Sequence, residues 1–254
     1  MIRLISLVLK AGWGILHAYF KWIRKYAKHR EKYSIEERFS KVQELVKFVI
    51  LKMGVKYDIS NFDVIYSDEK KKFIVCNHQS MLDCLLLLIF AKRPLTFVAK
   101  KEVLKFPFVG KILYIIDGEF FDRENLKAQV KNVLNASKLI EEQKYDVVIF
   151  PEGTRQKEIE KGLLPFHAGS FKIPLRAKCD TIITTIFGSY RCLNFFKFKK
   201  KKQLYVQYNV LDELKYDEIK TLTSVAIMEK SKEIMEASLP KCMEKDVEYQ
   251  KSIS

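Results

Sequence analysis

His78 and Asp83 stand five residues apart at the joint between two apolar runs. The first run, Phe73-Ile74-Val75-Cys76, is short and β-branched and reads as a buried strand; the second, Met81 to Phe90, has the length of a buried helix. The polar residues between them sit where α/β sheets place active sites, at the carboxyl end of a strand. Ser80-Met81-Leu82-Asp83 fits a capping box, with Ser80 as N-cap and Asp83 in the first turn. His78 then falls just outside the helix. Within a continuous helix, residues five apart diverge by about 140°, whereas outside it the chain can fold back onto the Asp83 carboxylate. A histidine held in that way has a fixed tautomer and a second nitrogen able to take a proton. The alternative reading makes Asp83 only a cap and His78 only a turn residue.

Other residues extend this chemistry toward an anionic, phosphate-bearing substrate. Arg123 and Arg155 each follow a probable strand end, in Gly118-Glu119-Phe120-Phe121-Asp122-Arg123 and in Phe150-Pro151-Glu152-Gly153-Thr154-Arg155. A guanidinium fork binds phosphate oxygens bidentately, which an ammonium cannot. Lys100 is a further phosphate contact in this reading. Gly153 lets backbone approach closely, and its amide or those at the Ser80 helix start are candidates for stabilising an oxyanion. Ser80 and Cys84 are rival nucleophiles, but Ser80 already has a capping role.

Taken in order, Asn77-His78-x-x-x-x-Asp83 and the two arginine-bearing segments resemble the motifs of the glycerophospholipid acyltransferase family, in particular bacterial 1-acylglycerol-3-phosphate acyltransferases. The resemblance spans about residues 73–190. It implies transfer of a fatty acyl group from a thioester to the sn-2 hydroxyl of lysophosphatidic acid, giving phosphatidic acid. In that reaction His78 is the general base and Asp83 orients it. Arg123, Glu152, Gly153, Thr154 and Arg155 fall in the glycerol-phosphate site. Glu152 either orders its loop or bonds the acceptor's hydroxyl. The donor is acyl-coenzyme A or acyl carrier protein, with no cofactor and no metal. Acylation of glycerol-3-phosphate or another lysophospholipid is the nearest alternative, and a non-catalytic basic membrane-binding protein is the alternative from another class. The family's fourth motif is a proline-bearing apolar strand; here Thr181-Ile182-Ile183-Thr184-Thr185 keeps the strand without the prolines.

Composition agrees with this reading. The 254 residues suffice for one sizeable core, and 48% hydrophobic content excludes disorder. A net charge of +15 suits an anionic membrane surface, a phosphate-bearing substrate or an acidic carrier. The basic residues are dispersed and no nucleic-acid module is present, so nucleic acid is not expected as a partner. Five cysteines without C-x-x-C spacing point to reduced thiols rather than disulfides or a zinc site.

The positioning elements follow from periodicity. Leu4 to Ile23 is apolar with Trp13, Tyr19 and Trp22 as interfacial anchors and Lys21, Arg24, Lys25, Lys28 and Arg30 as a basic border. This fits a helix lying in a membrane interface better than a span, a core helix being the remaining option. The expected location is the cytoplasmic face of the cell membrane. Ser34 caps a second helix that ends at Gly54, so residues 1–56 are expected to form a membrane-associated helical hairpin. Residues 57–254 then form an α/β catalytic domain, a mixed central β-sheet flanked by helices. Within it Phe106–Gly110 reads as a turn, Leu126–Glu142 and Asp217–Ala237 as helices, Thr181–Phe187 and Leu204–Val210 as strands, and the tail after Pro240 as frayed. Lys197–Lys202 forms a basic run able to touch anionic lipid or an acidic carrier.

Overall fold

The computed structural model describes residues 12–121, 126–156, 158–192 and 204–253. Arg123, with its neighbour Asp122, and the basic run 197–202 lie outside the described residues.

Among these residues, seven strands form one sheet: β1 (Lys56–Ser60), β2 (Phe73–Cys76), β3 (Leu95–Lys100), β4 (Glu119–Phe121), β5 (Asp146–Ile149), β6 (Thr181–Phe187) and β7 (Tyr205–Leu214). Their order is β1-β7-β6-β2-β5-β3-β4. Every adjacent pair is parallel except β6 with β7. The carboxyl ends of β6, β2, β5, β3 and β4 therefore open side by side at one end of the sheet.

Helices cover both faces, and β2 shows why. Its residues alternate, Ile74 and Cys76 into one core and Phe73 and Val75 into the other, so a strand buried on both sides reads as an unbroken apolar run. The first core is closed by the Ile35–Met53, Met81–Phe90 and Pro107–Ile115 helices through Val42, Val46, Leu82, Leu86 and Leu113. The second is closed by the Leu126–Glu141 and Ser224–Ser252 helices through Ala136, Ile140, Ile227 and Met235.

The N-terminal helical segment, with a π-helical stretch at Tyr19–Ile23, packs against the Ile35–Met53 helix. Gly14 lies against the Phe48 ring, which a Cβ there would displace. Ser34 caps the second helix through the Glu37 amide (3.1 Å), and Gly54 closes it with φ 63°. Gln43 Nε2 donates to the carbonyls of Leu88 and Ala91, both at 2.8 Å, capping the end of the Met81–Phe90 helix. These N-terminal helices share the first core with the sheet, Ala18, Ile23, Phe39 and Val42 clustering with Ile74 and Leu86. No helix among the described residues is long and apolar enough to cross a membrane.

Three expectations change. Phe106–Gly110 is no turn: Pro107 occupies the first helical position, where its missing N–H costs nothing, and a helix runs on to Ile115. The chain after Pro240 is helical to Ser252, because buried Leu239 and Cys242 pack beneath it and Asp246 forms a buried ion pair with Arg191. The single helix expected over Asp217–Ala237 is broken at residues 220–223, between the Tyr216–Ile219 and Ser224–Ser252 helices.

Candidate active site

β2 ends at Cys76, and the next four residues form a loop fixed from several directions. Asn77 continues the strand with its side chain: Nδ2 donates to the Ile186 carbonyl (3.0 Å) and Oδ1 accepts from the Ile186 amide (2.7 Å). The His78 amide donates to Glu152 Oε1 at 2.7 Å, and the His78 carbonyl accepts from the Gln156 amide at 2.8 Å. Its ring stacks on Phe150, with centroids 4.2 Å apart. Both main-chain groups and the ring plane of His78 are therefore set before any substrate arrives.

The ring nitrogen Nδ1 lies 2.8 Å from Asp83 Oδ2. Asp83 is fully buried and Ser80 caps the helix, the two forming the expected capping box. Asp83 Oδ2 also accepts from the amides of Gln79 (2.7 Å) and Ser80 (2.8 Å), and Oδ1 accepts from the Ser189 hydroxyl. Oδ2 accepts from both amides, so the contact with His78 orients Nδ1 as the donor toward it. The opposite nitrogen, Nε2, has no partner among the described residues, and the side chain is 14% exposed.

Glu152 is bonded at both carboxylate oxygens. The residue is 2% exposed, with Oε1 on the His78 amide and Oε2 on the Leu164 amide (2.9 Å). Burial pushes its carboxyl above the ordinary range, against the opposing effect of those two donors. Both oxygens are engaged in tying the His78 loop to the loop after β5.

Gly153 adopts φ 58°, a conformation that suits glycine, and its amide donates to the Phe150 carbonyl (2.9 Å). The amides of Gln79, Ser80 and Leu82 are likewise bonded within the loop. Thr154 is exposed and Arg155 half-buried on the same loop. Arg155 forms no ion pair among the described residues, and its field reaches Cys84 in the first turns of the dyad's helix. Lys100 ends β3 in register with Phe121, two residues before Arg123. Burial, and next the Asp83 charge, push the Cys84 thiol far up, so it stays protonated; the Ser80 hydroxyl accepts from Leu82. Neither is an activated nucleophile.

Several members of this constellation are invisible to local pattern: Gln79, Gln156 and Ser189. Ser189 follows β6 and reaches Asp83 across 106 residues. Gly188 before it has φ 96°, and a Cβ there would strike the Tyr205 carbonyl. In β6, Thr184 Oγ1 donates to the Val75 carbonyl at 2.9 Å. All five cysteines are free, and no cluster of metal-ligating side chains occurs among the described residues. A separate cleft of about 400 Å³ lies at the other end of β4, lined by residues including Arg30, Arg38, Asp117 and Glu119.

The mixed α/β sheet thus presents a carboxylate-held histidine, with Arg155 on the adjoining loop paired to no carboxylate among the described residues, an arrangement able to take a proton from a hydroxyl near an anionic group. The chain belongs to the acyltransferase family, whose model matches residues 57–188. It is 34% identical over 210 residues to a "probable 1-acyl-sn-glycerol-3-phosphate acyltransferase" of Mycoplasma pneumoniae, covering 80% of this chain and 77% of that one. A 1-acyl-sn-glycerol-3-phosphate acyltransferase of Helicobacter pylori is 42% identical over 103 residues, 41% of this chain and 43% of its own length. The fold is shared with the 1-acyl-sn-glycerophosphate (LPA) acyltransferase PlsC of Thermotoga maritima, with a TM-score of 0.69 at 19% identity, over 95% of this chain and 98% of that one.

Proposed function

We propose that this protein is a membrane-associated 1-acylglycerol-3-phosphate acyltransferase, making phosphatidic acid from lysophosphatidic acid and an acyl thioester. The observation that carries it is the His78–Asp83 pair with Nε2 unengaged at the carboxyl end of β2. The names of the relatives supply the substrate class. His78 Nε2 takes the proton of the sn-2 hydroxyl as its oxygen attacks the thioester carbonyl. Asp83 stabilises the resulting imidazolium. The tetrahedral intermediate then expels the thiolate, which receives the proton back from His78. No acyl-enzyme is needed, and no metal or cofactor enters. Arg155, together with Arg123 and Lys100, holds the acceptor phosphate; coenzyme A or acyl carrier protein carries the acyl group.

The membrane contact is assigned to the N-terminal helices on the cytoplasmic face. Trp13, Leu16 and Phe20 recur at helical spacing and are 73%, 43% and 62% exposed. The helix bearing them packs on the Pro107–Ile115 helix, Tyr19 against Phe108 with ring centroids 5.0 Å apart. Leu104 and Phe106, exposed in the turn after the carboxyl end of β3, extend the apolar surface at the end of the sheet that carries His78.

The test is to incubate purified protein with acyl-coenzyme A or acyl carrier protein and a panel of acceptors. Lysophosphatidic acid should be preferred and phosphatidic acid the product. His78→Ala should lower turnover by ~10²–10⁴. Asp83→Asn should also lose turnover yet keep the fold, because the Ser189 hydroxyl can turn to accept from the new amide. Preference for glycerol-3-phosphate, or a His78→Ala variant within about tenfold of wild type, would overturn the assignment.

A further inference from the structure

Three of the donors on Asp83 belong to its own loop: His78, Gln79 and Ser80 all converge on Oδ2. The other oxygen, Oδ1, is held from outside by the Ser189 hydroxyl. Without that contact Oδ1 would be a buried acceptor with no partner, and only the bonds on Oδ2 would hold the carboxylate's orientation toward the imidazole. Ser189 is itself anchored. It is fully buried, it follows Gly188, whose φ of 96° and approach to the Tyr205 carbonyl admit no side chain, and the Gly188 amide donates to Gln79 Oε1 at 3.1 Å. Two residues on, Arg191 forms a two-pronged ion pair with Asp246 of the C-terminal helix, Nη1 to Oδ1 at 2.7 Å and Nη2 to Oδ2. Both partners are nearly buried, so the pair is a rigid tie rather than a surface contact.

We propose that Ser189 is a positioning residue for the His78–Asp83 pair, fixing the Asp83 carboxylate from β6 while the Arg191–Asp246 pair holds the turn that carries it. The role rests on the acyl-transfer reading, since it acts through the proposed general base.

The decisive variant is Ser189→Ala, which removes one oxygen and leaves the ion pair intact. Two readouts apply to the full-length protein. In steady-state acyl transfer from acyl-coenzyme A to lysophosphatidic acid, kcat should fall about tenfold or more while both KM values stay unchanged. In ¹⁵N-histidine NMR, tractable with four histidines in the chain, the His78 ring signals should move and the other three should not. A variant with wild-type kcat and unmoved His78 signals overturns the proposal. So does one whose kcat falls only together with raised KM values, since that marks general loosening. Absence of acyl transfer in the wild type would refute the functional reading instead, while the NMR comparison would still decide whether Ser189 positions the ring.

Discussion

Glu152→Gln separates two roles for one side chain. The carboxylate accepts the His78 amide at 2.7 Å with one oxygen and the Leu164 amide at 2.9 Å with the other, in a site 2% exposed. Glutamine has the same shape but a single acceptor, so one buried N–H must face an NH₂ group and loses its partner. An orphaned buried donor costs about 1–3 kcal/mol. For a chain of this size each kcal/mol lowers Tm by roughly 2–4 °C, which gives a drop of about 2–12 °C. If the donor lost is the His78 amide, the imidazole shifts, and turnover should fall on the order of 10–100-fold, as displacements near 1 Å can produce. The acceptor KM should stay within about twofold, because Glu152 touches loops rather than substrate. Differential scanning fluorimetry and acyl-transfer kinetics with varied lysophosphatidic acid measure both. An unchanged Tm with a strongly raised acceptor KM would refute the reasoning and put Glu152 on the acceptor's hydroxyl.

The remaining predictions address substrate binding, membrane contact and pH. Arg155→Lys should raise the acceptor KM by about tenfold, the equivalent of ~1.4 kcal/mol from a lost bidentate contact, with the donor KM unchanged; the reverse pattern would move Arg155 to the donor side. Trp13→Glu and Phe20→Glu should each weaken binding to anionic vesicles by on the order of tenfold without lowering Tm, since both side chains are exposed. Wild-type binding should weaken with salt but persist, because apolar insertion is not screened; complete release in salt would rule out insertion. Burial, against the Asn135 side chain 3.1 Å away, raises the Glu119 carboxyl above its ordinary range. A group raised on folding contributes stability that is full below its unfolded value, about 4.3, and lost as pH rises through the folded value. Glutamine does not titrate, so the Tm of Glu119→Gln minus that of wild type should increase between about pH 4 and 7. A constant or falling difference would contradict the shift.

The sequence alone determined whatever closes over a few residues. The His78–Asp83 contact could be anticipated because both residues lie within a loop and one capping box, where helix geometry dictates what can meet. Ser34, Gly54 and the Thr181–Phe187 strand were legible for the same reason: caps and residue type act locally. What surrounds the pair was decided by tertiary structure. The sheet order places β2 between β6 and β5, so Ser189, 106 residues away, and Glu152, 74 residues away, converge on one loop. Parallel strands are joined by long crossovers, and no local signal says which strand pairs with which. The helix through Pro240 is similar. Proline opposes it locally, and buried Cys242 together with the Arg191–Asp246 pair, formed across 55 residues, overrides that preference. Propensity is a sub-kilocalorie bias for most residues, and packing or a buried ion pair can exceed it.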